Sequence, residues 1–404
     1  MRYDLVFEGG GAKGMAFAGA MREFEAAGHT AGRIIGSSAG AITAATLAAG
    51  YSAAEMLAAL GERVSDAPVF TTFLGDPPPP SPLTDSAVAE FLRAGDLSFV
   101  PGWAEDRLEK GLLNALAGSE LGRQLLSFFD YGGFYSADAF VDWFERKLDE
   151  GLHDGRPRRF GKSTFAELYA ATGVDLSLTA SDISHNRLRI LNHRTTPDVP
   201  VVWGARMSMS FPLLWQEVIW REAWGPYRGY VDGKPVEFPL AGSVMVDGGL
   251  LSNFPIELLV SREPLVTQIM GPEAANAVVG FLIDESRAVA GAPPPAAGHS
   301  LPGMDKLGAS HTAQRLKGLV DTVTQARDKM VIDENRSRVV RLPAKTYGTT
   351  EFGMVDARRD ALIEAAAAAT RAYFLAQPDG GLEALDPGPT AESDRIALGI
   401  LGIE

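Results

Sequence analysis

Residues 3–50 constrain the fold more than any other stretch, because they set out two strand–turn–helix units in succession. A short, mostly apolar run at 3–7 suits a buried central strand. Glycines follow at 9, 10, 11 and 14, and then Phe17, Ala20, Met21 and Phe24 recur at helical spacing up to a stop at Gly28. A second brief strand at 33–35 runs into the turn 36–40, and the small residues 41–49 predict a helix ended by Gly50. Strands alternating with helices predict an α/β fold in three layers, a mostly parallel central sheet covered by helices on both faces.

Further along, strands are expected at 175–179, 188–192, 244–246 and 278–283, and helices at 137–148, 314–330 and 356–376. Prolines at 77–80 and 82 break the pattern and open a less regular insertion over about 66–131. The segment 288–303, with prolines at 293–295, predicts a mobile surface loop, and 377–393 also reads as loop. The expected organisation is one domain over 3–260 carrying the insertion. A C-terminal extension, 261–404, is expected to pack on the same globule.

Composition narrows the function. With 46% hydrophobic and 22% charged residues, a 404-residue chain can bury a core and shelter a site from water. A net charge of −14 argues against nucleic acid as the main partner, and against adsorption to anionic lipid through overall charge. An apolar face can still dock on lipid. The absence of cysteine excludes disulfides, thiolate catalysis and thiolate zinc sites. The apolar run 39–49 is too short to span a bilayer, and no secretory signal follows Met1. The expectation is therefore a cytoplasmic or peripheral membrane protein without a transmembrane segment.

Gly36, Ser37, Ser38, Ala39 and Gly40 fit G-x-S-x-G between a strand and a helix. A nucleophile on so tight a turn needs small neighbours two positions away, and the helix after it aims free N–H groups at an oxyanion. Among 44 glycines such a pentapeptide also arises by chance, so its strand–turn–helix placement is what gives it weight. Gly9, Gly10, Gly11, Ala12, Lys13 and Gly14 crowd backbone donors at the end of the first strand, as an oxyanion hole requires. Gly9, Gly11 and Gly14 also fit a dinucleotide fingerprint, G-x-G-x-x-G, and a plain glycine turn is a further alternative. That reading wants an acidic residue at the tip of the second strand, where this chain has Gly36 and Ser38. Asp247, Gly248 and Gly249 follow the strand at 244–246, where α/β sheets collect ligands; a plain turn aspartate is the alternative. Residues 155–164 look briefly like a phosphate loop, but the spacing is one residue too long, and their arginines are expected to be solvated. The six histidines (29, 153, 185, 193, 299 and 311) form no metal pair, and none has the setting of a catalytic base.

The glycine loop 9–14, the turn 36–40 and the triplet 247–249, in this order, resemble the patatin-like phospholipase family. Residues 205–212 and 250–255 strengthen the resemblance, which covers about 3–260; Glu8 stands where an aspartate or serine is expected. It implies a patatin-like three-layer fold and a serine lipid acyl hydrolase working through a Ser38–Asp247 dyad without histidine, metal or cofactor. It further implies an oxyanion hole in the glycine loop, chiefly Gly10 and Gly11. The implied substrate is a phospholipid or related acyl ester at a membrane or micelle surface, with a protein activator left open. The competing readings are a nucleotide-binding protein using the 9–14 turn and a non-catalytic binding protein on the same fold.

Overall fold

The computed structural model describes residues 1–79, 82–94, 102–231, 233–275, 277–294, 335–377 and 389–402, without the side chains of 84, 91–94 and 102–109. The helix expected at 314–330, the loop 288–303 from 295 onward and the stretch 378–388 lie outside the described residues.

Eight strands form the main sheet: β1 (Arg2–Phe7), β2 (Thr30–Gly36), β3 (Leu176–Asp182), β4 (Arg187–Leu191), β5 (Val218–Ile219), β6 (Val244–Asp247), β7 (Ala277–Ala288) and β8 (Val339–Lys345). Their order is β5-β6-β3-β2-β1-β7-β8, with β4 paired to β3. Pairing is parallel from β3 to β8 and antiparallel where β4, β5 and β6 join. The sheet is thus mixed and mostly parallel, flanked by helices. Alternation along β1 shows why both faces are covered. Leu5 and Phe7 enter one core with Ile34, Phe17 and Phe281, whereas Val6 enters a second core with Ile35, Phe254 and Leu282.

A buried charge ties the central strands together. Asp4 on β1 accepts the Arg33 backbone N–H (2.7 Å) and Nε (2.6 Å), while the guanidinium also donates to the carbonyls of Gly271 and Leu259. A buried pair with this many partners persists because its remaining donors are also satisfied.

The region beyond 260 is built into this sheet: β7 lies parallel to β1, and β8 parallel to β7. Helix Asp356–Leu375 packs on helix Ala16–Ala26, where Arg22 pairs with Glu364 and Arg371 with Glu23. Two expectations are corrected. The insertion is regular, with helices Ala87–Ala94, Gly102–Gly118 and Glu120–Tyr131; Ser119 caps the last, which ends on left-handed Gly132 (φ 71°). Arg158 is buried, not solvated: it donates to the Ala49 and Gly50 carbonyls and pairs with Glu55, fastening the end of the helix that follows β2.

Candidate active site

Strand register brings the distant motifs together. Phe7, the last residue of β1, pairs with Gly36, the last of β2, so the glycine loop and the 36–40 turn emerge side by side. Gly36 in turn pairs with Leu178 on β3, and two residues on, Ala180 pairs with Asp247. The side chains of residues 209 positions apart then meet: Ser38 Oγ donates to Asp247 Oδ2 over 2.7 Å.

The turn is strained in the manner of a nucleophile elbow. Ser38 sits at φ 52°, ψ −121°, a conformation non-glycine residues rarely adopt, just before helix Ala39–Ala48. Its neighbours make room. A Cβ on Gly36 would lie 2.1 Å from the Gly40 carbonyl oxygen, and one on Gly40 would lie 2.3 Å from that of Phe7. Ser37 turns inward, donating to the Ser252 carbonyl (2.9 Å) and accepting from Thr179 Oγ1 (2.7 Å). Ser38 N–H donates to Ser208 Oγ (2.9 Å), which pins the elbow from the end of helix Val201–Ser208.

Asp247 is 3% exposed. Its Oδ1 accepts the Gly249 N–H (2.7 Å), and its own N–H donates to the Ser210 carbonyl (3.0 Å). Burial pushes its carboxyl up to about 7, against the downward pull of the Ser38 and Gly249 hydrogen bonds. Gly248 lies against Thr179, too close for any side chain. Ser210 is itself held by Arg206, a buried guanidinium that also donates to the Ser136 (2.9 Å) and Gln216 (2.8 Å) carbonyls. One segment, 206–210, therefore fastens the backbones of both Ser38 and Asp247.

The glycine loop lies against the serine: a Cβ on Gly9 would stand 3.0 Å from Ser38 Cβ. Its donors divide. Gly9 N–H is spent on Asn253 (3.1 Å), Ala12 on Thr349 (2.8 Å) and Lys13 on Gly10 (3.2 Å). Gly14 packs against Ala39. Among the described residues, the N–H groups of Gly10, Gly11 and Ala39 donate to no protein acceptor, and all three residues are half-exposed. The Lys13 ammonium, buried, pairs with Glu285 on β7. Glu8 earns its place by bridging, since it accepts from Asn253 Nδ2 (3.1 Å) and from the Ile283 N–H (2.6 Å).

The four described histidines make no hydrogen bond to Ser38 or Asp247. His29 packs among Tyr3, Phe24 and Phe374, His153 packs against Phe160, His185 bonds Asp182, and His193 stacks on Tyr169; His299 and His311 lie outside the described residues. Among the described residues no group of three acidic or histidine side chains could hold a metal, and no helix is long and apolar enough to cross a membrane. Ser208, Ser210, Arg206 and Thr179 were not singled out by any chemical pattern in the sequence. Only the resemblance of 205–212 to a family block pointed near the first three.

A family model described as patatin-like phospholipase matches residues 5–260. The uncharacterized protein YqhO of Bacillus subtilis (strain 168) is 25% identical over 373 residues, covering 90% of this chain and 95% of that protein. Among solved structures, VipD from Legionella pneumophila overlays with a TM-score of 0.43 at 15% identity, covering 92% of this chain and 66% of its own. ExoU, in complex with SpcU from the type III secretion system of Pseudomonas aeruginosa, gives 0.33 at 17%, covering 92% and 52%. The chain spans about two thirds and half of those two structures.

Proposed function

This chain belongs to the patatin-like phospholipase family, and from that premise we propose that it is a serine acyl hydrolase cleaving carboxylic esters of phospholipids or related acyl lipids, with Ser38 as nucleophile and Asp247 as its base. The observation that carries this reading is the 2.7 Å hydrogen bond from Ser38 Oγ to a buried carboxylate, beside backbone donors left without partners.

The chemistry follows from where the protons sit. Ionised Asp247 accepts the Ser38 hydroxyl proton as the oxygen attacks the ester carbonyl carbon. The carbonyl oxygen becomes an oxyanion, held by the free N–H groups of Gly10, Gly11 and Ala39. Each such donor is worth ~3–4 kcal/mol to the transition state. As the tetrahedral intermediate collapses, protonated Asp247 gives its proton to the departing alcohol, leaving an acyl-Ser38 ester. Water then repeats the cycle in reverse roles, releasing the fatty acid and restoring both residues. A carboxyl near 7 is well matched to this work, because it is substantially ionised at neutral pH and still basic enough to take a proton. The substrate is proposed to be met at a membrane or micelle surface.

The test pairs a fluorophosphonate probe with turnover of a short-chain p-nitrophenyl ester. The wild-type chain is expected to label at Ser38 and to hydrolyse the ester. Ser38→Ala is expected to fold normally and do neither. Normal turnover by that variant rejects the assignment, and comparing lipid products of the two on mixed membranes then identifies the substrate class.

A further inference from the structure

The family match ends at residue 260, yet the glycine loop is held from beyond it. Ala12 N–H donates to the carbonyl of Thr349 (2.8 Å), on the loop between β8 and helix Asp356–Leu375. The approach is close. Gly11 has φ 55°, and a Cβ there would stand 2.2 Å from the Thr349 carbonyl oxygen and 2.8 Å from Thr349 Cγ2. The 346–354 loop therefore lies directly against the residue whose N–H is one of the free donors.

That loop is itself fixed by one side chain. Arg358, 1% exposed, donates to Glu351 Oε1 (2.6 Å) and Oε2 (3.2 Å), to the Thr346 carbonyl and to the Pro293 carbonyl (2.7 Å). Its guanidinium lies over the Tyr347 ring at 3.8 Å, and Tyr347 Oη donates back to the Arg358 carbonyl (2.9 Å). Glu351 also accepts the Gly348 N–H (3.1 Å). Five donors in a rigid plane suit one residue to gather several backbone turns at once. The far side of the loop reaches Trp215 through Phe352, with ring centroids 5.5 Å apart.

We propose that the 346–354 loop, braced by the Arg358–Glu351 pair, is a positioning element of the oxyanion hole: it occupies the Ala12 donor and holds Gly10 and Gly11 at the angle the oxyanion needs. Arg358 and Glu351 act through Thr349 and are positioning residues, touching no reacting atom. The inference rests on the serine hydrolase reading of the same site.

Glu351→Gln keeps the shape and one acceptor while removing the charge that holds the guanidinium. Arg358→Lys keeps the charge and loses the fork. Glu364→Gln, at a solvent-exposed ion pair on the same helix, serves as control. The readouts are kcat and KM on a p-nitrophenyl ester, and the inhibition constant of a trifluoromethyl ketone, whose hemiketal oxyanion occupies the hole. Labelling of wild type by a fluorophosphonate at Ser38 establishes beforehand that the hydrolase reading stands, so failure of that step is separate from failure of this proposal. In both loop variants kcat is expected to fall by roughly 10- to 100-fold, short of losing a donor outright, with KM within a few fold. The ketone should weaken by the same factor as kcat/KM, and Glu364→Gln should match wild type. A fall in kcat with unchanged ketone affinity would mean only that less of the protein is folded, and it overturns the proposal. So does a Glu351→Gln enzyme with full kcat, whatever Arg358→Lys does.

Discussion

At the scale of single residues, everything turns on a carboxylate that burial makes basic. Asp247 begins near 3.8 in the unfolded chain and rises to about 7 in the folded one. In the proposed mechanism its ionised form is the base, so kcat/KM is expected to climb with pH along an acid limb centred near 7, measurable on a neutral ester. A limb centred near 4 would show that the carboxylate is not the titrating base. The same shift has a stability consequence. Between about 4 and 7 the folded state binds the proton that the unfolded state has released, so stability falls as pH rises through that window and levels off above it. The full cost is on the order of 4 kcal/mol, taking three pKa units at 1.36 each. Asp247→Asn has nothing to ionise and keeps an acceptor for Gly249. It is expected to be inactive and, by thermal melting, to gain on wild type progressively from about pH 4 to pH 7. A constant difference across that range would contradict the raised carboxyl.

At the scale of elements, the strained turn forms because two strands and a helix end converge on positions without side chains. Gly40→Ala would drive a methyl group toward the Phe7 carbonyl, and neither backbone can yield without separating β1 from the turn. The expected loss is about 1–3 kcal/mol of stability, typical of overpacking, with turnover down at least 100-fold because Ser38 moves with the turn. Gly61→Ala is the contrast. That position has φ −83° and its nearest neighbour 3.4 Å away, so stability should hold or improve by about 0.4–1 kcal/mol. Equal losses in the two, by chemical denaturation, would mean the crowding at Gly40 is illusory. These glycines were legible in the sequence because steric exclusion leaves only one residue type. The clasp around them was not. Ser208 holds Ser38 with a hydroxyl common anywhere, and Thr349 holds Ala12 with a carbonyl that every residue possesses, so neither leaves a signature in the sequence. Strand β8, Val339–Lys345, was not among the expected strands; it carries Pro343, whose missing N–H is tolerated because, among the described residues, β8 pairs with β7 alone and lies at the sheet edge. The insertion helices were masked by the proline run that introduces them.

At the scale of the molecule, the question is whether the region beyond 260 is an appendage or part of the working fold. The strand partners argue for the second. Without β7, strand β1 loses its neighbour over Tyr3–Phe7, and Phe7 loses the ring of Phe281, stacked at 5.2 Å. Glu8 loses both its N–H acceptor on Phe281 and the Ile283 N–H on its carboxylate, which leaves a buried acid short of partners at the root of the glycine loop. Removing helix Asp356–Leu375 uncovers the apolar flank of helix Ala16–Ala26, and with it goes the loop that occupies Ala12. A chain cut at 260 therefore presents a bare central strand edge, an invitation to pair with other chains, and a half-built core. It is expected to be insoluble or molten, with no cooperative melt and no fluorophosphonate labelling, although it retains Ser38, Asp247 and every glycine of the three motifs. A truncated chain that melted cooperatively and still labelled would show that residues 1–260 suffice, and that the added strands are ornament on a complete domain.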